Sequence, residues 1–248
     1  ETGELRAAPV THHRWALSAL GAAAACTLTP DDTAYCCVPL HHPAGILVSV
    51  GAALAGGARL ALGSAFSPKS FHTEVRRYGA SVVFYAGEML RPLLFERPGR
   101  ADRALPIRLF AGSGMRADLG EKLTQRFGAG IMEFYASTSQ RVILANASGV
   151  KPGALGRVLP GSTEIAVVKC DLGTGTLLRD GDGHLVRALP GDAGLLAARL
   201  DPHEESAFDS SVVLGAFGER DRWYVTRDVI RRDDDGDHWY VDALSGFV

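Results

Sequence analysis

Helix-patterned and strand-patterned segments alternate through the first half of the chain, and this order constrains the fold more than any other feature. Ala16–Leu28 has the Ala/Leu content of a helix, whereas Tyr35–Leu40 is typical of a buried strand. The predicted order continues with helix Gly45–Ala55, strand Arg59–Leu62, helix Pro68–Tyr78, strand Val82–Tyr85, strand Ile107–Ala111, helix Asp118–Phe127 and strand Gly130–Phe134. Such repetition favours an α/β fold, with a parallel-type sheet covered by helices.

The helical period disappears after about Gly153. Short apolar runs follow, separated by turn signals such as Arg179–Gly181 and Asp235–Asp237. The predicted strands are Gly156–Val158, Glu164–Val168, His184–Arg187, Gly194–Arg199 and Trp223–Val225. The sequence thus predicts an α/β subdomain over residues 1–153 and a small β-barrel or sandwich subdomain over residues 154–248.

Two predicted strands end in turns made of small residues. The first turn contains Gly112, Ser113 and Gly114, and the second contains Ala136, Ser137 and Thr138. Ligands of open α/β sheets bind beyond the carboxyl ends of strands, and converging backbone N–H groups in such turns can hold a phosphate. Tyr135 could stack its ring on a flat base. The pattern favours a nucleotide site.

The bulk properties exclude some classes of function. The formal net charge is −2, which gives no basic field that would attract nucleic acid. There is no apolar run of about 18 residues, so we expect no membrane span and place the protein in the cytosol or at a membrane surface. The four cysteines lack metal-ligand spacing, and Cys36 and Cys37 lie in an apolar run that predicts the core.

Three motifs carry a resemblance to a known family. Val38–Gly45 is similar to Leu-Pro-Leu-Tyr-His-Ser-Ala-Gly, and Phe84–Arg91 to Gln-Tyr-Ile-Gly-Glu-Leu-Cys-Arg. Tyr135–Ser139 resembles Tyr-Gly-Ser/Thr-Thr-Glu. Nearly the whole chain resembles the central part of the very-long-chain acyl-CoA synthetase and fatty-acid-transport-protein branch of the adenylate-forming superfamily.

The resemblance implies roles for particular residues in binding ATP or AMP. Tyr135 would stack on adenine, Asp228 would bind the ribose hydroxyls, and Thr138 would lie near the α-phosphate. Arg6 stands where the family's phosphate loop has Lys, so Thr138 and Arg6 are the expected catalytic residues. The remaining nucleotide-binding residues implied are Gly112, Ser113, Gly114, Ala136 and Ser137. The expected substrate-pocket residues are His41, His42, Gly87 and Glu88.

The chain departs from the family pattern at three functional positions. Ser139 replaces the Glu that helps to hold Mg²⁺, Ala243 replaces an Arg that contacts ribose and phosphate, and Gly246 replaces the hinge Asp. The family's C-terminal lid would follow Val248 and is expected to be absent. Because Mg²⁺ and cationic groups offset charge at the reacting phosphate, losing one such group often costs about 10²–10³ in rate. We expect this chain alone to be inactive or impaired.

Other interpretations remain open for several of these residues. Tyr135 could be a core aromatic at a strand end, Glu88 a surface residue of a helix first turn, and Asp228 a plain turn residue. An adjacent pair such as His41 and His42 could suggest a metal, but neighbours on a strand point to opposite faces. Asp233–Asp237 imitates part of a calcium loop, yet the first ligand position would be Arg231, which favours a solvated hairpin turn.

The parent activity implied by the resemblance is ATP-dependent activation of a fatty or similarly apolar carboxylate to an acyl-adenylate and then to an acyl-thioester. Its expected ligands are ATP or AMP, the carboxylate and CoA, with an acyl carrier or fused domains as further partners; the Mg²⁺ site is in doubt and no other metal is expected. An alternative is a catalytically silent ligand-binding or scaffolding domain of a larger protein. A third interpretation, an intact enzyme, needs a compensating carboxylate, for which Glu133 and Glu88 are candidates.

Overall fold

The computed structural model describes residues 10–136, 142–147, 149, 151–159, 162–201 and 211–247. The chain divides into two compact units, Glu1–Met132 and Glu133–Val248. The sequence places its change of pattern later, near Gly153, because the strands that open the second unit lie before that residue. The predicted subdomain boundary between residues 153 and 154 stays a prediction.

The first unit contains a parallel sheet. Its strands β1 to β4 are Thr33–Cys36, Arg59–Leu62, Val82–Ala86 and Leu109–Ser113, and they lie in the order β2-β1-β3-β4. The helices of this unit are α1 His12–Ala25, α2 Gly51–Gly56, α3 Pro68–Tyr78, α4 Arg100–Arg103 and α5 Ala117–Phe127. The predicted parallel-type sheet with helices is therefore confirmed.

Apolar side chains of the sheet and of two amphipathic helices form the core of this unit. Val83 and Phe110 of the sheet are fully buried together with Phe71 of α3 and Leu123 of α5. Helix α3 begins at Pro68, whose fixed φ suits the first turn, and ends at Gly79 in the left-handed conformation. Cys26, Cys36 and Cys37 are free and buried, so the predicted core position of the adjacent pair is confirmed.

The segment predicted as one helix over Gly45–Ala55 has two parts. Ala44–Val50 is a π-helix, and α2 continues from it. The hydroxyl of the fully buried Ser49 donates to the Ala44 carbonyl oxygen at 2.7 Å, five residues back, which satisfies an acceptor in the widened turn. A Cβ atom on Gly45 would lie 2.4 Å from the Pro39 carbonyl oxygen, so this close approach requires glycine.

The second unit is built from antiparallel strands. Strand β5 runs over Gly130–Ala136 and, from Glu133 onward, belongs to this unit; it pairs with β6 Ile143–Ala145, which pairs with β7 Arg157–Val158. The five-stranded sheet is formed by β8 Ile165–Val168, β9 Ala193–Arg199, β10 Val212–Leu214, β11 Arg222–Arg232 and β12 His238–Ala243. Its order is β10-β11-β9-β8, with β12 on β11. The predicted β-rich part is thus confirmed.

Both faces of the central strand β9 are buried. Leu195 belongs to an apolar cluster with Trp223, whereas its neighbour Leu196 belongs to another with Leu144 and Ile230. This alternation is the period of two expected of a strand. The predicted strand His184–Arg187 makes only isolated bridges, through Leu185 and Arg187. Across the described ranges, no helix has the length and apolar content needed to cross a bilayer.

Candidate nucleotide site

A hydrogen bond joins the predicted adenine-stacking and ribose-binding residues. The Tyr135 hydroxyl donates to Asp228 Oδ2 at 2.5 Å, although the two residues are 93 positions apart. Tyr135 lies near the end of β5. Asp228 lies in β11 where its pairing with β9 is interrupted between Val225 and Val229. Such an interruption re-aims side chains away from the ladder, and it leaves Asp228 partly exposed.

Thr226 supports the Asp228 backbone within this interruption. The Asp228 N–H donates to Thr226 Oγ1 at 3.2 Å, and Thr226 itself is buried. Thr226 was not predicted from the sequence as a site residue. The Thr-x-Asp spacing is the only signal that could have indicated it, because threonine hydroxyls commonly bond to a backbone group two residues on.

The ring of Tyr135 lies in the apolar core of the second unit. It is 9% exposed and belongs to a cluster with Val142, Leu144 and Leu196. Burial raises the pKa of Tyr135 above its ordinary value, and the Asp228 carboxylate raises it further, so the hydroxyl remains a proton donor at neutral pH. The ring has the burial of a core aromatic, as the alternative interpretation expects. Stacking of this ring on adenine stays a prediction.

Ala243 lies directly opposite Asp228 in the β11–β12 ladder. Side chains of such opposed residues have Cβ atoms about 4.5–5.5 Å apart. An arginine at position 243 would place a cation next to the Asp228 carboxylate, and alanine does not. At Gly246, a Cβ atom would lie 2.6 Å from Asp242 Oδ2, so a larger residue there would require the Asp242 side chain to move.

In the first unit, the predicted nucleotide turn and the predicted pocket residue Gly87 lie together. The Gly87 N–H donates to the Ser113 carbonyl oxygen at 2.7 Å, and a Cβ atom on Gly114 would lie 3.3 Å from Gly87 Cα. Gly112 and Ser113 were predicted as a turn but belong to β4. The glycine at position 112 allows the strand to lie close to its neighbour, because a Cβ atom there would lie 2.3 Å from the Tyr85 carbonyl oxygen.

Of the other predicted pocket residues, Glu88 and His42 have local partners. The Glu88 carboxylate accepts a hydrogen bond from Arg91 at 2.7 Å and lies 3.8 Å from Arg116. His41 and His42 are exposed in the turn before the π-helix, and His42 Nδ1 accepts from the Ala44 N–H at 3.1 Å. The structure thus places Glu88 in an ion pair rather than leaving it free.

Four predicted or altered site residues lie outside the described residues: Arg6, Ser137, Thr138 and Ser139. Ala136 is the last residue of β5 and is exposed. Within the part of the chain that is described, no group of three or more His, Cys, Asp or Glu residues is placed to hold a metal ion.

The acidic hairpin turn before β12 binds a lysine. Lys151 Nζ lies 2.7 Å from Asp233, 2.7 Å from Asp235 and 3.1 Å from Asp237. Three of the carboxylates that imitate a calcium loop thus share one lysine ammonium group of the protein.

Comparison with known proteins agrees with this fold and these motifs. The family model of AMP-binding enzymes matches residues 2–187. The medium/long-chain-fatty-acid–CoA ligase FadD6 of Mycobacterium tuberculosis is 36% identical over 98% of this chain and 42% of its own length. Human long-chain fatty acid transport protein 1 is 33% identical over 97% of this chain and 39% of its own length.

Solved structures show the same fold. A benzoate CoA ligase from Burkholderia xenovorans has a TM-score of 0.71 at 19% identity, covering 95% of this chain and 46% of that one. O-succinylbenzoate coenzyme A synthetase from Bacillus subtilis, solved with ATP and a magnesium ion, has a TM-score of 0.67 at 22% identity, covering 95% of this chain and 46% of that one.

The chain belongs to the AMP-binding enzyme family. It spans about two fifths of the length of the two curated relatives described above, which are 42% and 39% covered.

Proposed function

We propose that this chain is the AMP-binding part of a fatty-acid–CoA ligase. The reaction would join a fatty or similarly apolar carboxylate to the α-phosphate of ATP, releasing pyrophosphate, and then pass the acyl group to the thiol of CoA. Family membership and the fatty-acid names of the curated relatives support this reaction class. The observation that carries the proposal is the 2.5 Å hydrogen bond between Tyr135 and Asp228.

Asp228 is the group that would bind the ribose. Its partly exposed carboxylate can accept hydrogen bonds from two vicinal hydroxyls, and hydrogen bonds to a charged group are worth about 1.5–3 kcal/mol each. Tyr135 would act as a positioning residue, because its hydroxyl fixes one carboxylate oxygen. Its buried ring would contact adenine only along the edge that the core leaves open.

We expect the site to favour a nucleotide over a magnesium ion. When bound, Mg²⁺ neutralises phosphate charge and is held through one or two carboxylates and the phosphates themselves. Of the two candidate replacements for the carboxylate lost at Ser139, Glu88 is paired with Arg91 and Glu133 is buried. We therefore expect nucleotide binding that depends little on Mg²⁺.

The experiment is isothermal titration of the 248-residue chain with AMP and ATP, with and without Mg²⁺. Asp228→Asn should weaken AMP binding about 10- to 100-fold and abolish the preference for AMP over its 2′-deoxy and 3′-deoxy forms. Asp234→Asn, in an exposed turn, is the matched control and should bind as the parent does. Equal binding by the Asp228→Asn variant would contradict the proposal, as would a parent chain that binds no nucleotide.

A catalytically silent nucleotide-binding domain is a second candidate, favoured by the alanine that faces Asp228. Pyrophosphate exchange with a panel of fatty acids separates the two, and robust exchange would exclude the silent domain. If the chain lacks affinity for ATP only because Ser139 and Ala243 replace the Glu and the Arg of the family, then Ser139→Glu with Ala243→Arg should raise ATP affinity in Mg²⁺. We place either form in the cytosol or at a membrane surface, with CoA, an acyl carrier or fused domains as further partners.

A further inference from the structure

An open cleft of about 600 Å³ lies in the first unit beside the C-terminal half of α5. Its lining includes Leu94, Arg100, Arg103, Lys122, Gln125 and Arg126. Helix α5 starts just after the carboxyl end of β4 and returns along the sheet, so its last turns lie towards the amino-terminal ends of the strands. The cleft is therefore distant from the turn at Gly114.

The lining of the cleft carries an excess of positive charge. Among the described residues, neither Arg100 nor Arg103 makes an ion pair, and Arg103 donates only to the Gln125 carbonyl oxygen at 2.7 Å. Lys122 lies 3.8 Å from Asp118, a carboxylate that a closer arginine already binds. Asp102, the one carboxylate in the lining, is buried and already paired with Arg126, so it does not neutralise the three other cations of the lining.

A buried ion pair fixes the segment beside the cleft. Arg126 Nε donates to Asp102 Oδ2 at 2.8 Å, and the two side chains are only 7% and 4% exposed. The guanidinium also donates to the carbonyl oxygens of Leu93, Glu96 and Arg97. This segment, residues 93–97, is thereby held by one side chain at three backbone positions.

The fixed segment presents an aromatic ring to solvent. Phe95, the last residue of the short 3₁₀ helix Arg91–Phe95, is 82% exposed, more than any other large apolar side chain among the described residues. Within residues 91–103 the sequence has four arginines against Glu96 and the buried Asp102. An exposed aromatic among basic side chains is the composition of segments that bind anionic membrane surfaces.

We propose that the cleft binds the phosphate of an anionic phospholipid headgroup while Phe95 inserts between the acyl chains. Arg100, Arg103 and Lys122 would neutralise the phosphate. The Asp102–Arg126 pair would hold in place the segment that carries Phe95. This surface would bring the protein to the bilayer in which apolar carboxylates dissolve. The proposal does not depend on nucleotide binding, and its test requires no nucleotide.

The test is co-sedimentation of the chain with vesicles of phosphatidylcholine, alone or mixed with phosphatidylglycerol. We expect binding only to the mixed vesicles, weakened by added salt. Arg100→Glu with Arg103→Glu should weaken binding by about 30-fold or more, since each basic residue near an anionic surface contributes about fivefold. Phe95→Ser should weaken it about tenfold, because less apolar surface enters the bilayer.

Matched controls lie in the second unit. Arg179→Glu with Arg220→Glu changes the net charge equally at two exposed positions, and Leu189→Ser removes an exposed apolar side chain that is 66% exposed. Neither control should reduce binding by more than about twofold through long-range charge alone. Urea unfolding midpoints equal to that of the parent show that each variant is folded.

Three outcomes would overturn the proposal. The first is equal binding to neutral and anionic vesicles. The second is equal loss of binding in the control pair and in the Arg100/Arg103 pair. The third is a parent chain that binds glycerol phosphate in solution but not vesicles, which would show a site for free phosphate only.

Discussion

The Asp102–Arg126 ion pair provides a strong test of how this structure is held together. Asp102→Asn keeps the shape of the side chain but leaves a buried guanidinium without its carboxylate. Asp102 also accepts hydrogen bonds from the Gly99 N–H at 2.9 Å and from His72 Nε2 at 2.5 Å, so two further donors lose a charged acceptor. Breaking one side of a buried pair costs about 3–5 kcal/mol.

That magnitude translates into a large thermal shift. For a chain of this size each kcal/mol moves the unfolding temperature by about 2–4 °C, so we expect a fall of roughly 6–20 °C. Burial alone raises the pKa of the Asp102 carboxyl group, but the hydrogen bonds from its three donors outweigh burial and hold the pKa below its ordinary value. The group is therefore charged at neutral pH, and Asn, which has no charge, cannot replace it without a loss of stability.

Urea unfolding followed by circular dichroism measures the loss in the free energy of unfolding. If the two units unfold separately, only the transition of the first unit should shift. Asp118→Asn is the control, since its side chain is 52% exposed and its solvent-exposed ion pair with Arg116 should add little to stability. A loss below about 1 kcal/mol in a folded Asp102→Asn variant would refute the reasoning from burial and pairing.

Three more predictions concern single residues. Hydrogen bonds from Arg108 lower the pKa of Asp32. The ionised carboxylate therefore stabilises the folded chain above the unfolded pKa of about 3.9, and this contribution is lost as the pH falls below that value. Asp32→Asn should reduce the free energy of unfolding at pH 7 and make that energy fall less steeply in acid, as urea titrations at several pH values would show. Gly112→Ala should destabilise the chain by about 2 kcal/mol or more through contact with Tyr85, and an unchanged melting temperature would contradict this. Tyr135→Phe should weaken AMP binding about tenfold in calorimetry while retaining the ring, and unchanged affinity would show that the hydroxyl does not position the carboxylate.

Sequence patterns predicted those elements whose ends carry their own signals. Strand β2 and helix α3 have the predicted bounds, and for α3 the signals are a proline in the first turn and Gly79 after the last residue. The π-helix was not predicted, because the bond from the buried Ser49 hydroxyl to the Ala44 carbonyl oxygen within it has no signal in the sequence. Strand β4 extends beyond its prediction because glycine at position 112 serves close packing rather than a turn.

The candidate site was predictable in its residues but not in its arrangement. Only the family resemblance connected Tyr135 with Asp228, since no local pattern relates positions 93 residues apart. The interruption of the β9–β11 ladder, which exposes Asp228, has no signal in the sequence of β11 beyond a threonine two residues earlier. The basic cleft was missed because the chain as a whole is slightly acidic, and net charge hides a local cluster.

The reactivity of the buried cysteines reports the unfolding of the first unit. Burial raises the pKa of both Cys26 and Cys37 to about 12, so almost no thiolate is available to an alkylating reagent while the unit is folded. These thiols are therefore modified only when the chain around them opens. The rate of modification gives the free energy of that opening. Cys170, which is partly exposed, lies in the other unit and supplies the reference reaction within the same molecule.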